Sequence, residues 1–211
     1  MDLTRVCYRL TLQEPILGST PKARDIYTAY VATRATAAQA PAASQVAIAQ
    51  EAQDVQEDLE ARGWTGFLSD AHGVYILDYV LRGFLKSASR ALDLTLPGKR
   101  KASVTLGPSF IDNYVFVFPR KLRFLRNGSP ITAAEDVLER PLRAMTAQGP
   151  RVSLTRSDLI REGATLDCEI GLLGGRVTQD LIEELLNYGT LQGLGQWRNA
   201  SYGRFSWERI V

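Results

Sequence analysis

The stretch TLDCEIGLLGGRVTQDLIEELLNYG, Thr165 to Gly189, decides the fold. Over Thr165 to Leu172, Leu166, Cys168 and Ile170 alternate with Asp167, Glu169 and Gly171, the period of two that puts every second side chain on one face of a strand. Then the period lengthens. Leu181, Ile182, Leu185 and Leu186 fall on one face of a helix, Thr178 stands where a hydroxyl caps the first turn, and Gly189 ends it. Phe205 to Val211 reads as one more strand, so this part of the chain is strand, helix, strand.

The beginning of the chain reads in the same terms. Val6, Tyr8, Leu10 and Leu12 alternate with Cys7, Arg9 and Thr11, a half-buried strand that runs into breaks at Glu14-Pro15 and Gly18 to Pro21. An alanine-rich stretch from Lys22 to Arg62, interrupted at Pro41, predicts two helices, the second with Ile48, Ala52, Val55 and Leu59 on one face and Gly63 as its cap. It separates the first strand from its expected partner helix and so reads as an inserted arm over about 22–62. Asp78 is placed to cap a helix over 78–92 whose Val80, Leu81, Phe84, Leu85 and Ala88 face inward, while Arg82, Lys86 and Arg90 repeat four apart on the outer side. Tyr114 to Phe118, β-branched and aromatic throughout, predicts a strand covered on both faces. Val152 to Leu154 is a further strand candidate. Without the insertion the order is strand, helix, strand, strand, helix, strand. That predicts an α+β fold: one domain over 1–211 with a ferredoxin-like (RRM-like) βαββαβ sheet, the helical insertion and a glycine-rich loop before the last strand.

Composition narrows the function. The 211 residues are 45% hydrophobic, enough for one well-buried domain, and the formal charge of +2 is nearly neutral. The charges are unevenly placed. Arg82 to Arg126 holds ten basic residues against Asp93 and Asp112, whereas Glu51 to Glu60 holds five carboxylates and no base. A local basic excess of that size suits a polyanion better than the net charge does. Two cysteines, Cys7 and Cys168, fall on strand positions that aim them at opposite faces, and no basic-then-apolar leader precedes the first strand. A disulfide framework is therefore not expected, and the cytoplasm is the expected compartment. No apolar run reaches the roughly 18 residues of a membrane span, and no membrane partner is expected.

The most unusual segment is Gly193-Leu-Gly-Gln-Trp-Arg-Asn-Ala-Ser-Tyr-Gly-Arg-Phe205. It follows a helix and leads into a strand, the reverse of a dinucleotide fingerprint. Gly195 and Gly203 allow close backbone approach; Gln196, Arg198, Asn199 and Arg204 supply donors for phosphate oxygens and base edges; Trp197 and Tyr202 offer rings for stacking. LGQWRNASYGRF resembles the C-terminal glycine-rich loop of the RAMP (repeat-associated mysterious protein) superfamily, which includes CRISPR-associated backbone and processing subunits. YILDYVLRGFLKSASRA, Tyr75 to Ala91, is similar to the family segment I-P-G-S-S-L-K-G-x-L-R, with Leu81, Arg82, Gly83, Leu85 and Lys86 in the corresponding places. LTLQEPILGST, Leu10 to Thr20, resembles the family's first strand and glycine turn. The sequence departs from the pattern where Leu77 and Asp78 replace Pro-Gly and where Ala200-Ser201 replaces a glycine. At this size the chain is also similar to free-standing phage or prophage relatives.

The resemblance implies a non-catalytic, self-assembling binder of single-stranded RNA or DNA, RNA favoured. A basic groove would be formed by Arg82, Lys86 and Arg90, by Lys99, Arg100 and Lys101, by Arg120, Lys121 and Arg123, and by the glycine loop. A homo-oligomer is expected from the same source. Two other readings stand beside it: a metal-independent endoribonuclease in which His72, the single histidine, acts as general base, and a structural subunit whose loop serves assembly. Ser69-Asp70-Ala71-His72-Gly73 also reads as an ordinary hairpin turn, and Asp25 as a helix-start carboxylate. One histidine and two cysteines on different elements do not make a zinc site, and no phosphate loop, nucleophile elbow or kinase signature is present. No metal or cofactor is expected.

Overall fold

A computed structural model describes residues 2–22, 64–95, 108–146, 149–174 and 177–210. The arm expected over 22–62, apart from Lys22, lies outside the described residues, as do its cap Gly63 and the Lys99-Arg100-Lys101 run. The strands are β1 (Leu3–Leu12), β2 (Ile16–Leu17), β3 (Thr20–Pro21), β4 (Trp64–Gly66), β5 (Leu68–Asp70), β6 (Gly73–Leu77), β7 (Val115–Phe118), β8 (Lys121–Arg126), β9 (Ser129–Pro130), β10 (Asp136–Thr146), β11 (Gly149–Ile160), β12 (Thr165–Leu173) and β13 (Phe205–Ile210). The helices are α1 (Asp78–Thr95), α2 (Pro108–Tyr114) and α3 (Gln179–Asn187), with 3-10 turns at Tyr188–Thr190 and Arg198–Ala200. The protein is a mixed α+β fold in which strands predominate. It divides into two compact units, one of residues 1–16, 75–130 and 161–211 and the other of 17–74 and 131–160.

The first unit is built on β1, which lies antiparallel between β12 and β13. The other edge of β12 takes β7 and then β8, and β8 continues by pairing with β6. The alternation of β1 explains the register: Tyr8 stands opposite Cys168 and Leu10 opposite Leu166, buried against buried, so Cys7 falls opposite Glu169 and Arg9 opposite Asp167 on the other face. The two thiols therefore do point to opposite faces. Helices α1 and α3 pack on the apolar face with Leu81, Phe84, Leu85 and Ala88 from one and Ile182, Leu185 and Leu186 from the other. Each Leu or Phe so buried contributes about 1.5–3 kcal/mol. Phe84 meets Phe205 edge to face at 5.1 Å, which fastens α1 to the last strand.

The local expectations hold at several points and shift at others. Thr178 does cap α3, its hydroxyl accepting the Leu181 N–H at 3.4 Å. Gly189 does not act as a cap: it sits inside the Tyr188–Thr190 turn, where a Cβ would run into the Phe205 ring, so the need for glycine is packing and not a left-handed φ. Tyr114 ends helix α2 instead of starting a strand, and β7 buries only Val115 and Val117 while Phe116 and Phe118 are half-exposed. The apolar second face of β7 is thus only partly covered.

In the second unit β10 and β11 form a long antiparallel hairpin, from Asp136 opposite Leu159 to Thr146 opposite Gly149. β11 pairs in parallel with β4, and β4 antiparallel with β3. Gly18 N–H donates to the Asp158 carbonyl at 2.9 Å, and Lys22 N–H to that of Trp64 at 3.0 Å.

Candidate nucleic-acid interface

Ahead of β13 the backbone of the first unit crosses itself. Leu194 N–H donates to the Gly203 carbonyl at 2.9 Å, Gly203 N–H to the Pro15 carbonyl at 2.8 Å, and Gln13 N–H to the Arg204 carbonyl at 2.8 Å. A Cβ on Gly193 would collide with the carbonyl carbon of Gly203, and one on Gly203, at φ 73°, with the carbonyl oxygen of Leu194. The close approach that Gly203 permits is therefore made by the chain itself.

Between these crossings lies the segment Gly195 to Tyr202. Gly195 adopts φ 78°, and two non-glycine residues, Trp197 (φ 52°) and Ser201 (φ 69°), also take the left-handed conformation, on either side of the Arg198–Ala200 turn. Each such residue costs about 1–3 kcal/mol and persists only where its surroundings impose it. The result presents Arg198 and Asn199 next to a ring pair: Trp197 and Tyr202 stack with centroids 5.4 Å apart and planes 11° from parallel, and Trp197 stays 45% exposed. Among the described residues the Arg198 guanidinium has no hydrogen-bond or ion-pair partner. Arg204 differs, because its Nη2 donates to Glu14 Oε1 at 2.7 Å and holds the neck of the loop closed.

Helix α1 reaches the stretch ahead of this segment through Ser87, whose hydroxyl lies 3.3 Å from Gln192 Oε1. Its outer side carries the expected bases in different states. Lys86 donates to both oxygens of Asp112 at 2.8 Å. Arg90 is exposed and Arg82 half-exposed, with no hydrogen-bonded partner among the described residues. Gly83, exposed between them, would place a Cβ in open space. Asp78 opens the helix; burial holds its carboxyl above the usual carboxylate range, against the opposing pull of Arg120 and Arg82. Arg120 lies 3.5 Å from that carboxylate, while the Lys121 ammonium and Arg123 guanidinium lie 4.6 Å and 5.6 Å from the Tyr75 ring centre.

The structure thus ties α1 to both flanks of the glycine loop, at Gln192 and Phe205, and leaves Arg82, Arg90 and Arg198 without hydrogen-bonded partners among the described residues. It pairs Lys86, Arg120 and Arg204 with carboxylates that the sequence did not single out as their partners. Asp112 and Glu14 carry no periodic signal that would have found them. Leu191, beside Gln192, is 71% exposed, an apolar side chain that no periodicity marks out. The outer face of the sheet is of mixed charge. Arg9 holds Asp167 through two bonds of 2.7 and 2.8 Å, and Arg5 bonds Glu169 at 2.7 Å while lying 4.9 Å over Phe118. His72 sits in the exposed turn between β5 and β6, its backbone N–H donating to Asp70 Oδ1 at 2.9 Å. Among the described residues no group of three or more His, Cys, Asp or Glu is placed to hold a metal, and no helix is long and apolar enough to cross a membrane.

No family model matches the chain, and no curated protein matches it. The solved structures that match include a chain of "Cryo-EM structure of the Type III-B Cmr-beta bound to cognate target RNA", at 13% identity and a TM-score of 0.47. The match covers 99% of this chain and 61% of that one, so this chain spans about three fifths of the other's length. A likeness of that size assigns neither family nor function.

Proposed function

We propose that the chain is a RAMP-like, non-catalytic binder of single-stranded nucleic acid, RNA in preference to DNA, that works in the cytoplasm as a self-assembling subunit. The observation that carries this reading is the strained turn beside the Trp197 and Tyr202 rings, which presents a guanidinium with no partner among the described residues. A planar fork can hold two phosphate oxygens at once, and neighbouring rings can take a base, so phosphate and base are met side by side. Arg82, Arg90 and the open space over Gly83 extend the same chemistry along α1. The paired acids and bases on the outer sheet face favour this helix and loop over a sheet platform as the contact surface.

The sheet order β13-β1-β12-β8, antiparallel throughout, supports a ferredoxin-like βαββαβ arrangement for the first unit. In it α1 precedes the β7–β8 pair and α3 follows β12.

The test is titration of a labelled RNA and the matching DNA with wild type and Arg198→Ala, alongside thermal melting. Loss of the fork should weaken binding by about 1.5–3 kcal/mol with melting unchanged, the scale of a hydrogen bond to a charged group. Unchanged binding with unchanged melting would remove the loop as a ligand site. Absence of binding to either nucleic acid at modest salt would instead favour assembly through Leu191 and Trp197, the two exposed apolar side chains there. Light scattering should show more than one copy per particle with oligonucleotide present; a monomer with and without it would sink the self-assembly.

A further inference from the structure

In the second unit a pocket of about 580 Å³ opens around the charge pair of Lys22 and Asp158. Asp158, its side chain 7% exposed, accepts the Trp64 indole N–H on Oδ1 at 2.9 Å and the Lys22 ammonium on Oδ2 at 2.9 Å. The same ammonium lies 4.2 Å from the centre of the Trp64 ring. Gly66 makes the room, since a Cβ there would stand 2.5 Å from Asp158 Oδ2 and 2.6 Å from Lys22 Cε. The pair could serve merely to fasten β4 to β11, but buried ion pairs add little stability over apolar side chains of the same size. That reading also leaves the pocket unexplained.

The unused hydrogen-bonding capacity of the pair defines what the pocket can take. A carboxylate has about four acceptor positions and an ammonium three donors; one position on each oxygen and one N–H are occupied within the site. Donors and acceptors therefore remain side by side. Their charges cancel, so neither a phosphate nor an organic cation gains net attraction, whereas a neutral ligand with an acceptor next to donors is matched at both. Phe67, Ala133 and Ala134 add an aromatic ring and two methyl groups to the lining, which suits a flat ring system. Val137, an apolar residue left 40% exposed, lines the pocket as well.

We propose that this pocket binds an unpaired guanine base. The oxygen at position 6 accepts from Lys22, and the ring N–H and the exocyclic amino group both donate to Asp158. Lysine to that guanine oxygen and a carboxylate to a base amino group are both established pairings in base recognition. Adenine presents a donor where guanine presents the oxygen, so it opposes Lys22 and cannot satisfy the pair. The inference stands apart from the backbone-binding reading, because it involves none of the residues of the glycine loop or α1.

The test uses the full chain and the 5′-monophosphates of guanosine, inosine and adenosine, which share sugar and phosphate so that only the base edge differs. The readout is the Trp64 indole N–H resonance, identified by its loss in Trp64→Phe. The guanosine nucleotide should shift it in a saturable manner. Inosine, lacking one amino donor, should bind roughly tenfold more weakly, and adenosine, which offers none of the three bonds, about a thousandfold more weakly, the factors expected for one and three hydrogen bonds to charged groups. Asp158→Asn should abolish the preference for guanosine over adenosine. If that variant does not fold, the three-nucleotide series on the unaltered chain decides alone. Equal shifts from all three nucleotides, or no shift from any, overturns the proposal. Arg198→Ala should leave the guanosine titration unchanged, so a failed pocket and a failed loop are told apart.

Discussion

One methyl group added at Gly83 separates a helix face that merely meets water from one that meets a ligand. Gly83 lies in the interior of α1, is exposed, and a Cβ there would find nothing within 4 Å. With no clash to subtract, Gly83→Ala should gain the full helix-propensity difference, about 0.8–1 kcal/mol. In a chain of this size that is roughly 2–4 °C in melting temperature. Yet the methyl would stand between Arg82 and Lys86, where the proposed strand passes. Overfilling a fitted contact costs about 1–3 kcal/mol, so affinity should drop roughly 5- to 150-fold while stability rises. Melting by circular dichroism and a fluorescence anisotropy titration with a labelled oligonucleotide read the two quantities on the same samples. Higher melting with unchanged affinity would show that nothing approaches this face, and lower melting would refute the open space itself.

The Lys99-Arg100-Lys101 run is expected to meet phosphates, so changing all three to Ala should flatten the dependence of log affinity on log salt. The expected change is about 0.7 for each lost contact with a single strand, and an identical slope removes the run from the footprint. Burial, and next the neighbouring Asp167 and Cys7, push the Cys168 thiol up to about 12. Between the ordinary thiol value of about 8.5 and that raised one, the native state keeps a proton that the unfolded chain releases. This contribution is therefore fully present below pH 8.5 and is lost as pH rises, at up to about 1.4 kcal/mol per pH unit. Urea midpoints at pH 8 and pH 10 should differ less for Cys168→Ala than for wild type; an equal loss in both would exonerate the thiol.

The parts of the fold that were legible in the sequence are those buried on one face. β1, β12 and α3 announce themselves because Tyr8, Leu10, Leu166, Cys168, Ile182 and Leu185 must reach one core, and burial imposes the period. The β10–β11 hairpin shows almost nothing of itself: Glu139, Arg140, Pro141 and Arg143 interrupt any alternation in β10, and only Val152 to Leu154 marks β11. Such a ribbon is held by its backbone ladder, to which every residue type but proline contributes alike. Helix α2 is seven residues long, too short for a face to repeat. At the candidate site the sequence supplied the residue types of the glycine loop but not their states. That Arg204 closes the neck onto Glu14 while Arg198 turns outward depends on contacts between residues almost the whole chain apart. The Lys22, Trp64 and Asp158 cluster has the same origin, with partners that no spacing rule connects.

The position of β1 also governs the order in which the protein can assemble. Leu3 pairs with Leu173, and Cys7 with Ile210, so β1 leaves the ribosome well ahead of both its neighbours, which lie near the other end of the described chain. At about 5–20 residues per second, roughly ten to thirty seconds pass before the first of those neighbours exists. Throughout that interval β1 is a strand with one apolar face and two unpaired edges, open to any other strand it meets. Contacts so distant along the chain also make folding slow once synthesis ends, because loop closure must come before the reward of pairing. The sheet at the centre of the first unit accordingly forms only after β12 and β13 have been made, and β1 stays open to wrong pairing until then.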